Sequence, residues 1–244
     1  MIPTTRATIT AAAAALVGVA GYLGTRYLAV AVLALITLTA LGWPALLRAS
    51  RKRHATVILT VGGALALAAI ALGRTAPHLR HVVAAVALMV IAALVSEVFF
   101  ASARGRTVTS VAAVAAGAIV VTSGAAWLAA ARTHGSEDLV VAGAVALAAS
   151  SVAAVSTPNP HLNTIIALVA GTGFGLGTGY LFPDLVWYAG GFVGFLCAVI
   201  VTLLQELYRR EPRPRDWMPG IASALSPVLA AGALVYIAGR LLIG

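Results

Sequence analysis

Nine apolar stretches, each close to the length of a membrane-crossing helix and joined by short loops, constrain this chain more than any motif it carries. A transmembrane helix needs roughly 20 predominantly apolar residues. The stretches run at about 7–23, 27–47, 56–72, 82–102, 108–131, 139–156, 164–182, 185–208 and 218–243. Hydrophobic residues make up 61% of the 244 positions and charged residues 9%, against about 25% charged in a soluble domain. So little polar surface cannot coat a soluble globule, whereas in lipid apolar side chains face outward. The expected fold is all-α: a polytopic membrane helix bundle of about nine transmembrane helices, with residues 1–244 forming a single integral membrane domain. The first stretch is short and alanine-rich and follows Arg6, so a signal peptide is an alternative for it. No small-x-small cleavage site follows, and retention as an anchor is expected.

A formal net charge of +9 suggests nucleic acid in a soluble protein. Here the basic residues gather at the ends of apolar runs, as in loops facing an anionic leaflet, and no nucleic-acid partner is expected. Fifteen of the 16 basic residues are arginine, and alanine is abundant, a bias that fits a GC-rich bacterial genome and a multi-pass cell-membrane protein. With the N-terminus inside, one side holds Arg6, Arg48, Arg51, Lys52, Arg53, Arg104, Arg106, Arg209, Arg210, Arg213 and Arg215. The other side holds Arg26, Arg74, Arg80, Arg132 and Arg240. Eleven against five predicts an N-in, C-out threading.

Two junctions share a pattern. Glu97 to Arg106 and Glu206 to Arg215 each read Glu, aliphatic, aromatic, four residues, then Arg-x-Arg, at an offset of 109 residues. Loops on the basic side centre near Lys52, Gly105, Asn159 and Pro214, at intervals of 53, 54 and 55 residues. A parallel two-helix repeat explains both the spacing and the pattern. Two minimal spans with short loops explain the spacing alone.

Glu97 and Glu206 are the carboxylates that fall well within predicted spans. An intramembrane charge is a candidate coupling or gating residue by default. Each lies about 7–11 Å along a helix from its basic loop. The alternative is therefore an interfacial carboxylate paired with Arg104 and Arg106, or with Arg213 and Arg215. Gly171, Gly175 and Gly179 share one helix face, and Gly173 and Gly177 a second. Two such faces let two neighbours pack closely, with a path-lining broken helix as the alternative.

The remaining polar groups point to no chemistry. Glu137, Asp138 and Asp184 read as loop or capping residues, and His78 and His81 beside Arg80 make a poor metal site. The single cysteine, Cys197, excludes an intramolecular disulfide. The sequence holds no Walker loop, H-E-x-x-H or G-x-S-x-G. No metal or cofactor is expected, and the chain leans away from an enzyme. Two functions fit, and the first is the one the sequence favours. One is a small transporter or permease component, resting on the glycine hairpin, the paired glutamates and the repeat. The other is a non-transporting accessory or scaffold that binds partner helices and anionic lipid headgroups at the inner face.

Overall fold

A computed structural model describes residues 2–73, 79–99, 107–133, 137–183, 185–210 and 216–242. These form nine α-helices: α1 (Pro3–Leu23), α2 (Thr25–Leu46), α3 (Lys52–Leu72), α4 (Val82–Phe99), α5 (Thr107–Ala131), α6 (Glu137–Ala153), α7 (Pro160–Leu181), α8 (Trp187–Arg210) and α9 (Trp217–Leu242). All except α6 are long and apolar enough to cross a membrane. The 17 residues of α6 span about 25 Å, and this helix is wedged between α1, α7 and α8.

The breaks follow local chemistry. Gly24 alone separates α1 from α2, at φ 119°, a left-handed backbone that glycine adopts without a Cβ penalty. Proline at the first position starts α1 and α7, where its missing N–H costs nothing. Two prolines also sit inside helices, and each orphaned carbonyl is met by a hydroxyl. Pro44 cannot donate to Ala40, and Thr56 on α3 donates to the Ala40 carbonyl instead, at 3.1 Å. Pro227 cannot donate to Ser223, and the Ser226 hydroxyl does so at 3.0 Å. In lipid an unmet carbonyl has no water to turn to, so these contacts support the helices that carry them.

The core centres on α5 and α9. Trp127 is fully buried, and its indole N–H donates to the Val228 carbonyl at 2.8 Å. Ser123 donates to the Ala230 carbonyl at 2.8 Å and accepts from the Ala233 amide at 3.1 Å. The close approach requires Gly232, whose place a Cβ could not share with the Ser123 carbonyl. Around this pair stand α2, α3 and α4 on one side and α1, α6, α7 and α8 on the other. Outward faces carry large apolar residues such as Val30, Leu65, Ile91 and Val169, as a lipid-facing surface does.

Candidate functional site: a polar pocket at the cationic end

The helices alternate in direction, so one end of the bundle gathers the starts of α1, α3, α5, α7 and α9 with the ends of α2, α4, α6 and α8. Contacts confirm the grouping. Trp43 at the end of α2 donates to the Ala113 carbonyl near the start of α5 at 2.9 Å. Gly42 lies against Met218 and Ala222 of α9. Of the described basic residues, this end holds Arg6, Arg48, Arg51, Lys52, Arg53, Arg209 and Arg210. The opposite end holds Arg26, Arg80, Arg132 and Arg240. There Arg132 caps α3 by donating to the carbonyls of Ile70 and Ala71.

Both glutamates lie at the cationic end, in unlike surroundings. Glu97 is 6% exposed. Its Oε1 accepts from the Ser50 hydroxyl at 2.7 Å, and the Ser50 oxygen lies 3.1 Å from that of Ser110 on α5. The carboxylate thus ties the α2–α3 loop to α4, and through Ser50 to α5. Glu206 is half-exposed and pairs within its own helix: Arg209 Nε at 2.8 Å and Arg210 Nε at 3.0 Å. These are i+3 and i+4 neighbours, whereas the sequence pattern pointed to i+7 and i+9. Arg104, Arg106, Arg213 and Arg215 lie outside the described residues, as do His78 and Asp184.

The glycine faces also differ. Gly171, Gly175 and Gly179 are buried against α8. A Cβ on Gly175 would meet the Gly190 carbonyl and lie 2.9 Å from Gly194 Cα, and one on Gly179 would lie 2.9 Å from Trp187 Cα. Gly173 and Gly177 have nothing within 4 Å of such a Cβ. The expectation of two packed glycine faces is therefore corrected to one. The second face is exposed because α6 and α8 both lie on the other side of α7.

Between the starts of α1, α7 and α9 and the ends of α6 and α8 lies a cavity of about 430 Å³. Its rim at α7 is rigidly built. Asn159 caps the helix by accepting from the His161 amide at 3.0 Å. Asn163 accepts from the Thr157 hydroxyl at 2.6 Å and donates to the Thr157 carbonyl at 2.8 Å. On the opposite wall the Arg6 guanidinium stacks 5.4 Å from the centroid of the Tyr208 ring. The Tyr208 hydroxyl in turn shares a 2.7 Å hydrogen bond with Ser226. Thr10 fastens α1 to α9 just below, donating to the Ala224 carbonyl at 2.7 Å. Thr164, Gln205, Glu206, Arg209 and Ser223 add to the polar lining.

Sequence reasoning found the glutamates and the glycines but missed Arg6 with Tyr208, and Ser50 with Glu97. The partners are 202 and 47 residues apart, and no spacing rule joins them. The signal available for the first was an arginine at the start of one apolar run and a tyrosine at the end of another predicted to finish on the same side. Among the described residues no group of three histidine, cysteine or carboxylate side chains is placed to hold a metal ion. Comparison with protein-family models, curated proteins and solved structures finds no match.

Proposed function

We propose that this protein acts as a non-transporting integral membrane accessory or scaffold, working on membrane components rather than passing a solute. The observation that carries this reading is the filled bundle interior. Trp127 and Leu229 occupy the α5–α9 contact, fully buried. Two interior hydroxyls are turned onto helix carbonyls, Thr122 to Ala118 at 2.7 Å and Ser151 to Leu147 at 2.8 Å, while that of Thr39 is buried with no hydrogen-bond partner among the described residues. Gly175 is closed by Gly190, and Glu97 lies across the bundle on α4. A hydrophilic path needs polar groups at mid-membrane that remain open to a solute.

Single cysteines at Thr122 and Ser150 test the reading, since native Cys197 is fully buried and gives no background. Both should resist a membrane-impermeant thiol reagent applied to either face of sealed vesicles. Labelling of either position from either side would overturn it. A permease component is the second reading, favoured by the polar cavity that opens at the cationic end. The same labelling decides between the two.

A further inference from the structure

We propose that the polar cavity and an apolar groove beside it form one binding site for an anionic phospholipid. The inference deepens the accessory reading above and rests on it, because it assigns the cavity to a membrane component instead of a solute. The groove holds about 810 Å³. Its floor is the small-residue face of α6, including Ala144, Ala148 and Ala149, and it is flanked by α1 and by Phe174 of α7. Among the described residues no charged one lines it.

Along α1 the groove extends from Ala11 to Leu23, about 18 Å at 1.5 Å per residue. Because α1 runs from Pro3 at the cationic end to Leu23 at the other, the groove starts about 7 Å beyond Arg6 and crosses the middle of a hydrocarbon core roughly 30 Å thick. A chain anchored at Arg6 therefore fills the half nearer Ala11. At its lower end the groove meets the cavity: Ala153 lines the groove and Ala154, the next residue, lines the cavity. An occupant that uses both spaces has a polar head and one long apolar chain, and its second chain stays in bulk lipid.

Charge selects the head. Glu206 is matched by Arg209 and Arg210, which leaves this corner with a positive balance. Arg6 is half-buried against Tyr208 and has no carboxylate partner among the described residues. A guanidinium held by its ring contact at 5.4 Å suits the oxygens of a phosphodiester. Gln205 supplies a neutral hydrogen-bonding group on the surrounding wall, where the hydroxyls of Thr164 and Ser223 donate to the Pro160 and Gly220 carbonyls.

The test is native mass spectrometry of the full chain, delipidated in detergent and titrated with phosphatidylglycerol or phosphatidylcholine. One phosphatidylglycerol should be retained in preference to phosphatidylcholine. Arg6→Gln should weaken that retention roughly five- to tenfold. Ala15→Trp, at an exposed alanine lining the groove, should weaken it with every charge intact. Arg240→Gln, at the opposite end, should leave it unchanged, and glycerol phosphate at millimolar concentration should not compete. Equal retention by the Arg6 or Ala15 variant overturns the proposal, as does displacement by glycerol phosphate, which would mark a phosphate site with no use for the chain. Melting temperatures near wild type identify the variants that count, and Ala15→Trp serves if Arg6→Gln fails to fold. Lipid preference lost with mid-bundle cysteines still unlabelled defeats this inference alone. Labelled cysteines with lipid preference kept defeat the closed-bundle reading alone.

Discussion

Glu97 and Glu206 occupy matching places in a sequence pattern, near the ends of α4 and α8, yet their side chains do different things. Glu97 is buried and accepts from Ser50. Glu206 is half-exposed and shares its charge with two arginines of its own helix. Removing the first leaves a buried hydroxyl network short of an acceptor, and removing the second leaves arginines that water solvates. Glu97→Ala should therefore cost about 1–3 kcal/mol, read as a lowered melting temperature in detergent. Glu206→Ala should leave the melting curve where it is. Equal shifts would mean that the two surroundings are alike, against the geometry. Sequence pattern predicted that both glutamates stand near the basic loops, because position along a helix follows from counting residues. It did not point to Ser50, which comes from a loop 47 residues away, or to Arg209 and Arg210, which lie closer to Glu206 than the shared pattern suggested. The expected pairing with Arg104, Arg106, Arg213 and Arg215 falls outside the described residues.

At the scale of elements, the α7–α8 hairpin shows what alternating glycines do. Gly171, Gly175 and Gly179 meet Gly190 and Gly194 backbone to backbone, and Gly173 and Gly177 look away. In lipid, helix association depends on close packing more than on apolar burial, so the closed face should matter and the open one should not. Gly175→Leu should destabilise the fold by about 1–3 kcal/mol or more through overpacking. Gly177→Leu should melt like the wild type. An indifferent Gly175 or a sensitive Gly177 would reverse the assignment of faces. The five glycines were evident in the sequence, but the face that packs was not, because lipid accepts apolar side chains and small residues alike. A second element-scale case is Pro44. Thr56→Val removes the donor to the Ala40 carbonyl while keeping shape, and should cost about 1–3 kcal/mol. A melting temperature equal to wild type would show that the carbonyl finds another donor.

For the whole molecule, the number and limits of the helices follow from apolar runs and breakers. The start of α7 at Pro160 precedes the expected 164 by four residues, because proline opens a helix whose first turn is polar. The burial of α5 and α9 was not read from the sequence, although both carry glycines and a tryptophan that peripheral α4 lacks, the small-residue composition that lets helices pack closely in lipid. Threading is the property that charge addresses most directly. Seven described basic residues stand at one end and four at the other, which is the asymmetry of cytoplasmic against outer loops. The buried Cys197 again makes single added cysteines readable. Lys52→Cys, exposed at the basic end, should be shielded from an impermeant thiol reagent in intact cells and should label once the cells are permeabilised. Arg26→Cys and Arg240→Cys, exposed at the opposite end, should label in intact cells. The nine helices make these expectations interdependent: an odd number of crossings puts the first and last residues on opposite sides, so Arg240 must report the side that Lys52 does not. The reverse pattern at all three positions would invert the threading and leave the bundle intact. Labelling of Lys52 and Arg240 from the same side would mean that one helix does not cross, and α6, with 17 residues, is the one to examine.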